Sequence, residues 1–211
     1  MVGLLSFRLF AAFALLSFLI VSSCSAVVIT FDDLHETASG SFIGTGYQGL
    51  VWSNFAALNG VLYPARVPFL TNGYFYGTVS ASNVALNGFG QAAEIDSAGT
   101  NFNFLSVYLT SAWNSNLNID VQGFRNGSLI YDRIVVVAAT NATQITFDYV
   151  DIDRLYFNSY GGDPAFQSTV YGGENFAMDN LSIEFVPEPS SLLLAALGSI
   201  SLAAFLRRKR T

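Results

Sequence analysis

Acidic and amide side chains occur near both ends of the central part of this chain. Asp32 and Asp33 follow one apolar segment, and Asp179 and Asn180 lie within another. Carboxylate and amide oxygens are the ligands that Ca²⁺ prefers, roughly six to eight per ion. If the first and last strands pair, these four residues converge and could hold a structural calcium ion, with Glu36 completing the site. The alternative is that Asp and Asn only end strands by bonding their own backbone in turns.

Signals for catalysis are weak. His35 is the only histidine, so a zinc site of the His-rich kind cannot be built, and no nucleophile elbow accompanies it. Asp148, Asp151 and Asp153 lack the glycine and closing glutamate of an EF-hand loop, which favours a solvated turn. Two carboxylates of a glycosidase could come from distant strands, but the sequence singles out no pair. We therefore predict that the protein is not an enzyme.

Aromatic residues make up 15 % of the chain. An exposed ring can pack against the C–H face of a sugar while Asn, Gln or Asp bind its hydroxyls, whereas a buried ring anchors a core. Trp52 and Trp113 lie inside otherwise apolar segments, which favours the core for both. Four tyrosines near predicted loops or strand ends are the candidates for carbohydrate contacts on the surface: Tyr63, Tyr74, Tyr76 and Tyr160.

The segment that must position these residues, 27–186, alternates between apolar and polar residues with period two, as β-strands do. Asn126-Gly127 separates two such runs and is the dipeptide that a type I′ hairpin turn prefers. No amphipathic helix of three turns can be drawn, and 34–48 and 159–174 are predicted loops. We predict an all-β, antiparallel two-sheet sandwich of the jelly-roll type. Its predicted strands are 27–31, 49–53, 74–79, 84–89, 92–95, 101–109, 117–124, 129–137, 145–149, 154–158 and 176–185.

The size and charge of this segment limit its partners. Its 160 residues are enough for an independent core. It contains four arginines, no lysine and fourteen carboxylates, a net charge of about −10. Such a surface repels phosphate backbones, so no nucleic-acid partner is expected. The charge is compatible with neutral polysaccharide, with divalent cations, or with solubility alone.

The N-terminal residues 1–26 have the order of a secretory signal peptide, with one cation, an apolar run at 9–21 and small residues up to Ala26. Residues 21–24 also form a passable lipobox, so lipidation at Cys24 is the alternative. We favour cleavage after Ala26, because a C-terminal anchor makes a lipid redundant. The mature chain then starts at Val27 and contains no cysteine, so its core must hold the fold without disulfides.

The C-terminal residues 187–211 form a second targeting segment. Residues 190–206 are apolar and uncharged and would span roughly 25 Å as a helix, the low end of a bilayer crossing. The basic residues after them predict a cytoplasmic end. The motif residues are Val186, Pro187, Glu188, Pro189 and Ser190 before and at the start of the apolar run, and Arg207, Arg208, Lys209 and Arg210 after it. On hydropathy alone, the tail would be an ordinary single-pass anchor.

With its Val-Pro-Glu-Pro-Ser core, this tail resembles the PEP-CTERM sorting signal of Gram-negative bacteria. The resemblance implies cleavage near Pro187–Pro189 by an exosortase, a transpeptidase-like membrane enzyme. It also implies an inner-membrane intermediate and then export to the cell surface or extracellular matrix, commonly in species that make exopolysaccharide. The resemblance covers about 25 residues and implies where the protein is sent, not what it does.

Four segments of the domain, 29–34, 47–55, 108–113 and 176–181, resemble a widespread family of uncharacterised extracellular β-sandwich domains. These domains are frequent on PEP-CTERM proteins and are similar to carbohydrate-binding jelly rolls. The resemblance implies a sandwich fold for 27–186. We expect a non-catalytic surface or matrix protein that binds carbohydrate such as exopolysaccharide. The alternative is a purely structural envelope component, and a glycoside-acting enzyme ranks last.

Overall fold

The computed structural model describes residues 25–66, 71–166, 172–187 and 198–199. The predicted signal helix and nearly all of the predicted transmembrane helix lie outside these residues. Across the described parts of the chain, no helix has the length and apolar character needed to cross a membrane. Residues 25–186 form one compact unit.

The described domain is almost entirely β-structure, and its paired strands are antiparallel. In chain order the strands are β1 (Val27–Ile29), β2 (Ser41–Phe42), β3 (Val51–Ser53), β4 (Phe55–Asn59), β5 (Asn83–Asn87), β6 (Ala93–Asp96), β7 (Phe102–Ser111), β8 (Asn114–Ser115), β9 (Leu117–Arg125), β10 (Ser128–Val137), β11 (Thr143–Ile152), β12 (Arg154–Tyr160), β13 (Asp163–Pro164) and β14 (Phe176–Phe185). Two α-helices of four residues each, α1 (Tyr63–Arg66) and α2 (Gly73–Tyr76), lie between β4 and β5.

The strands form two main sheets. The seven-stranded sheet has the order β11-β7-β14-β5-β4-β2, and β1 pairs with β14 on the same side as β5. The five-stranded sheet has the order β10-β9-β12-β6-β3, and β8 pairs with β13 in a separate two-stranded ribbon. The hairpin between β9 and β10 turns at Asn126 and Gly127, both with positive φ (49° and 75°), as the Asn-Gly dipeptide predicts.

The inner faces of the two sheets pack against each other. Phe157 of the five-stranded sheet contacts Phe55 and Phe104 of the seven-stranded sheet, with ring centroids 5.8 and 6.4 Å apart. Tyr131 and Tyr149, on the edge strands β10 and β11, stack with centroids 4.5 Å apart. One continuous core joins both sheets and includes Trp52, which is 5 % exposed. The predicted antiparallel sandwich and the core position of Trp52 are confirmed.

The strand predicted at 74–79 is wrong, because residues 73–76 form α2. Asn72 caps this helix: its side chain accepts a hydrogen bond from the Tyr74 amide at 3.1 Å. Gly73 brings the helix so close to β7 that an added Cβ would lie 1.6 Å from the Ser111 carbonyl oxygen. The segment therefore forms a helix, although its aromatic composition favours a strand, because Asn72 caps it and Gly73 allows close backbone contact with β7.

Strand β4 was not predicted from the sequence. Its sequence, FAALN, has the burial order buried, half-buried, buried, buried, half-buried, so it does not alternate as a strand with one exposed face would. Short strands also occur in both predicted loops, at Ser41–Phe42 and Asp163–Pro164. The last predicted strand, 176–185, has the same bounds in the structure.

Candidate functional site

Asp179 lies on β14 at the point where β5 leaves that strand and β1 takes its place. It is fully buried. Its carboxylate accepts hydrogen bonds from the amides of Val79 and Ser80, at 2.7 and 2.8 Å, and from the Ser80 hydroxyl at 2.9 Å. The amide of Asn180 donates to it as well, at 2.7 Å.

Asp32, just after β1, binds the next part of the same segment. Its Oδ1 accepts from the amides of Ser82 and Asn83, at 2.9 and 3.0 Å. Asn83 in turn donates its side-chain amide to the Phe31 carbonyl at 2.9 Å. The pairing of β1 with β14 thus brings the two ends of the domain together, as the sequence predicts, and both acids hold residues 79–83.

The remaining residues of the predicted calcium site lie differently. Asp33 points to another loop, where it accepts from the Tyr47 hydroxyl at 2.5 Å and from the Gln48 amide at 3.1 Å. Asn180 has a positive φ of 49° and sits at an irregularity in the pairing of β14 with β7. Asp32 and Asp179 are therefore the members of the set that the structure brings to one segment.

The two carboxylates differ in their electrostatics. Burial raises the pKa of Asp179, although hydrogen bonds from Ser80 and Val79 oppose that effect. Burial also disfavours the charge on Asp32, but the amides of Ser82 and Asn83, with other hydrogen bonds, outweigh it and lower its pKa. Asp32 is therefore an acid whose ionised form the fold stabilises.

Both carboxylate oxygens of Asp33 and Asp179, and Oδ1 of Asp32, thus already accept hydrogen bonds from N–H and O–H donors. Of the residues that the structure describes, no group of three or more His, Cys, Asp or Glu is placed to hold a metal ion. What the arrangement does chemically is to fix the segment before β5 to both terminal strands. Calcium binding at Asp32, Asp33, Asp179 and Asn180 stays a prediction.

The second acidic cluster, around β11 and its end, also binds protein groups. Asp151 forms an ion pair with Arg125 and accepts from the Asn101 amide at 2.6 Å. Asp153 accepts from the backbone amide of Asn126 at 2.5 Å. These acids support the bulged strand β11 and the β9–β10 hairpin.

The four candidate tyrosines do not form one surface. Tyr76 and Tyr160 are 38 % and 40 % exposed, on α2 and at the end of β12. Tyr63 is half-buried. Tyr74 is only 4 % exposed, so the expectation that it lies on the surface is wrong. Its ring is held inside because α2 packs against β7 through Gly73.

Tyr63, Tyr74 and Trp113 form a small aromatic cluster. The ring centroids of Tyr63 and Tyr74 are 4.9 Å apart, and those of Tyr74 and Trp113 are 5.8 Å apart, both edge to face. Trp113 is 5 % exposed and belongs to a second, smaller core cluster, which confirms its predicted core position. Burial raises the pKa of Tyr74, so the hydroxyl stays protonated.

This cluster forms one wall of an open groove of about 440 Å³. The groove is within the size range of small-molecule sites. Phe42 and Phe89 form its rim, with ring centroids 6.2 Å apart and planes inclined by 48°. They are 59 % and 83 % exposed. The described lining residues carry no charge: Ser39, Gly40, Ser41, Phe42, Ala56, Tyr63, Tyr74, Leu86, Gly88, Phe89, Trp113, Gly172 and Asn175. We call this the aromatic groove.

The backbone around Phe89 is unusual and firmly held. Phe89 has a φ of 56°, the left-handed region that a bulky residue rarely adopts. Asn54 donates its side-chain amide to the carbonyls of Gly88 and Ala92, at 3.1 and 2.8 Å. Asn87 donates to the Gln91 carbonyl at 2.9 Å. These bonds fix the turn that points the Phe89 ring into solvent.

Sequence reasoning missed Phe42 and Phe89. Both lie in stretches that read as a loop or as a strand end, and both are ordinary apolar residues by type. The available signal was Gly88-Phe89-Gly90, a large ring between two glycines, which is a turn that presents its side chain rather than a strand that buries it.

The chain is similar in structure to a DUF4465 family protein from Bacteroides ovatus, with 9 % identity, 77 % of this chain and 100 % of that chain covered, and a TM-score of 0.46. It is also similar to the adhesin domain of Lys-gingipain from Porphyromonas gingivalis (10 % identity, 78 % and 99 % covered, TM-score 0.41). A third similar structure is a family 16 carbohydrate binding module (13 % identity, 62 % and 85 % covered, TM-score 0.32).

No protein of curated function is significantly similar to this chain in sequence. Residues 185–210 match the PEP-CTERM protein-sorting motif. This range includes all the motif residues predicted above, from Val186 to Arg210, and the chain therefore carries a PEP-CTERM sorting tail.

Proposed function

We propose that the β-sandwich is a non-catalytic domain that binds a polysaccharide in the aromatic groove at the cell surface or in the extracellular matrix. The observation that carries this proposal is the presentation of Phe89. Its ring is 83 % exposed on a turn held by two asparagines. Full burial of such a side chain stabilises a protein by about 1.5–3 kcal/mol, so a fixed exposed ring suits a ligand that covers it.

The chemistry of the groove favours a neutral sugar polymer. The rings of Phe42 and Phe89 offer apolar faces to the C–H faces of sugar rings. The Ser41 hydroxyl donates to Glu36 and the Asn175 amide donates to the Asn87 carbonyl, and the side-chain oxygens of Ser41 and Asn175 can accept hydrogen bonds from sugar hydroxyls. Since its described lining carries no charge, the groove has no cation to pair with the carboxylates or sulfates of an acidic polymer.

The shape of the groove supports an extended chain over a small molecule. The groove is open to solvent and lies beside the edge strand β2 and its neighbour β4 in the seven-stranded sheet. The inclination of 48° between the two rings fits successive sugars that are rotated relative to each other. A polymer could therefore lie across Phe42 and Phe89 and continue beyond the groove at both ends.

The order of the strands supports the jelly-roll form of the sandwich. From β5 onward the chain changes sheet at each connection between the eight main strands except the β9–β10 hairpin: β5, β7, β11 and β14 belong to the larger sheet, and β6, β9, β10 and β12 to the smaller one. Eight strands in two sheets that the chain visits in this manner are typical of that fold.

The sorting tail supports a route to the surface. We propose that the signal at 1–26 directs export, with processing at Ala26 rather than lipidation at Cys24. An exosortase then cleaves near Pro187–Pro189 while residues 190–206 hold the precursor in the inner membrane. The motif begins directly after β14, and Val186 still donates its amide to the Asn101 carbonyl at 2.8 Å. Cleavage would thus release the domain with almost no linker.

A glycan array tests the proposed function. The processed protein, labelled at its N-terminus, is applied to neutral and acidic glycans with and without calcium. We expect signals on neutral polymers that disappear in a Phe42→Ala/Phe89→Ala double variant. Silence across all glycans would favour the alternative, a purely structural component of the envelope or matrix.

A further inference from the structure

We propose that the outward face of the five-stranded sheet is a second binding surface, which takes a polysaccharide carrying protonated amino groups. This proposal does not rest on the aromatic groove, which involves the other sheet. It starts from the side chains that β9, β10 and β12 direct away from the core.

Alternation along two neighbouring strands places a row of polar and aromatic side chains on this face. In β9 the residues Leu117, Ile119 and Val121 are buried, and in β12 Leu155, Phe157 and Ser159 are buried. Successive side chains of a strand point to opposite faces. The outward residues are therefore Asn118, Asp120 and Gln122 of β9 and Tyr156, Asn158 and Tyr160 of β12.

The register of the two strands places these residues side by side. Asn118 pairs with Tyr160, Asp120 with Asn158, and Gln122 with Tyr156. Each tyrosine thus has an amide side chain beside it on the neighbouring strand. The two tyrosines are four residues apart on one strand, roughly 13 Å. One sugar ring cannot cover that distance, so a chain of several sugars is the ligand that fits both rings.

The face remains uncovered by the helices of the described residues. Helix α2 packs on β7 and β14 of the other sheet, and α1 packs on α2. Next to the row on β9, the edge strand β10 adds Ile134, opposite Asp120, and Val136, opposite Asn118. Both are more than half exposed, at 56 % and 58 %. The face thus offers apolar area together with the polar groups.

The charge of this face is negative, and this decides which kind of sugar polymer it suits. Asp120 and Asp132 interact through their side chains, and Glu94 and Asp96 lie on β6 two strands from β9. Arg154 is the arginine on the described part of this face, and it is engaged by Glu94 at 3.5 Å and by the ring of Phe124 at 4.3 Å. A cationic chain complements this balance, whereas an acidic chain is repelled.

Asp120 lacks a partner for one oxygen. Its Oδ2 accepts from the Gln122 side-chain amide at 2.9 Å, but its Oδ1 is enclosed and has no hydrogen-bond donor. Burial, followed by the interaction with Asp132, raises the pKa of Asp120. An ammonium group bound at the exposed Asp132 carboxylate would lie close to Asp120 and reduce the repulsion between the two carboxylates.

A sugar amine fits this combination better than a metal ion or a basic peptide. In the described part of the chain, no group of three or more metal-ligating side chains is in place for an ion. A lysine-rich peptide would satisfy the charge and can place single ammonium groups over aromatic rings, but it offers no flat ring face to stack on the two tyrosines. The two rings suit sugar faces, and the carboxylates suit the amines that the sugars carry.

The test uses the processed protein and a glucosamine hexamer, with the N-acetylated hexamer and hexalysine as comparison ligands, in calorimetric titrations at pH 6 and low salt. We expect the glucosamine hexamer to bind at least about tenfold more tightly than either comparison ligand. Tyr160→Ala and Asp132→Asn, both at exposed positions, should each weaken that binding about tenfold. Asp163→Asn removes an equal charge from the exposed strand β13 and should leave it unchanged.

Four results would overturn the proposal. The first is equal binding of the acetylated hexamer, which would make the amines irrelevant. The second is equal binding of hexalysine, which would make the surface a general acidic one. The third is an equal loss in Asp163→Asn and Asp132→Asn, and the fourth is no binding of the glucosamine hexamer at all. Circular dichroism of each variant separates loss of the fold from loss of the site.

Discussion

Asp32 and Asp179 lie near opposite ends of the domain's sequence, yet they accept hydrogen bonds from the same short segment, residues 79–83. One acid follows the first strand and the other lies on the last strand, and these strands pair with each other. The segment between them leads into β5, which pairs with β14 as well. The two carboxylates therefore connect the segment before β5 to β1 and β14, at the place where these three strands of the seven-stranded sheet meet.

Removal of the Asp179 carboxylate should destabilise the domain strongly. Asp179→Ala leaves the partly buried amides of Val79 and Ser80 without their acceptor, and an unpaired buried amide costs about 1–3 kcal/mol. We expect a loss of about 3 kcal/mol in the free energy of unfolding, measured with urea. The matched control is Asp163→Ala, at an exposed position of β13, which should stay within about 0.5 kcal/mol of the wild type. Equal losses in both variants would contradict the role of Asp179.

Asp32 should make the stability depend on pH in the acidic range. Its pKa in the folded state is lowered from the usual 3.8, so its contribution is present above that value and is lost as the pH falls through the folded-state pKa. Asp179 has the opposite sign, because burial raises its pKa. We expect Asp32→Asn to differ from the wild type at pH 7 and to approach it at pH 3. Urea unfolding at both values checks this, and a difference that does not shrink on acidification would refute it.

These acids also show how much of the structure can be predicted from the sequence. The convergence of the two ends follows from the pairing expected between first and last strands, and the sequence predicts it. The partners of the carboxylates do not follow, because the segment 79–83 has no distinctive pattern and its first residue belongs to a predicted strand. Which donors reach a carboxylate depends on loop conformations that local composition does not determine.

The aromatic residues show the same division. The core positions of Trp52 and Trp113 follow from their apolar neighbours and are confirmed. Tyr74 was expected on the surface and is buried, because a four-residue helix capped by Asn72 turns it inward. Phe42 and Phe89 gave no signal by type: Phe42 lies exposed on the short strand β2, and Phe89 is exposed by a turn fixed by Asn54 and Asn87. Residue type alone cannot distinguish an exposed aromatic ring that could bind a sugar from an aromatic ring buried in the core.

The calcium hypothesis predicts a metal-dependent stability. An ion that binds only the folded domain, at 100 times its dissociation constant, stabilises it by about 2.7 kcal/mol. Addition of EGTA to calcium-loaded protein should then lower the Tm. The measurement is a thermal melt followed by circular dichroism, with excess calcium restored afterwards as the control. An unchanged Tm would contradict the calcium hypothesis. The role of Asp32 and Asp179 would then be limited to their hydrogen bonds.

Processing at the two ends should be visible in the mass of the mature protein. We expect a mature chain that starts at Val27 and lacks everything after Pro189. Replacement of both prolines of the motif, Pro187→Ala/Pro189→Ala, should leave the full tail in place and the precursor in the membrane. Intact-mass spectrometry of extracellular protein makes the comparison. Extracellular chains that still carry Arg207–Arg210 would exclude the exosortase step, and a lipid on Cys24 would exclude the Ala26 cleavage.

The most direct test of the central claim is a calorimetric titration of the groove with the strongest neutral glycan from the array. Phe89→Ala should weaken binding at least about tenfold, which is about 1.4 kcal/mol. Its Tm should stay close to that of the wild type, because the ring it removes is 83 % exposed. Val150→Ala, an exposed apolar residue on β11 outside the groove, is the control and should bind as the wild type does. Unchanged affinity in Phe89→Ala would contradict the assignment of the aromatic groove as the polysaccharide site.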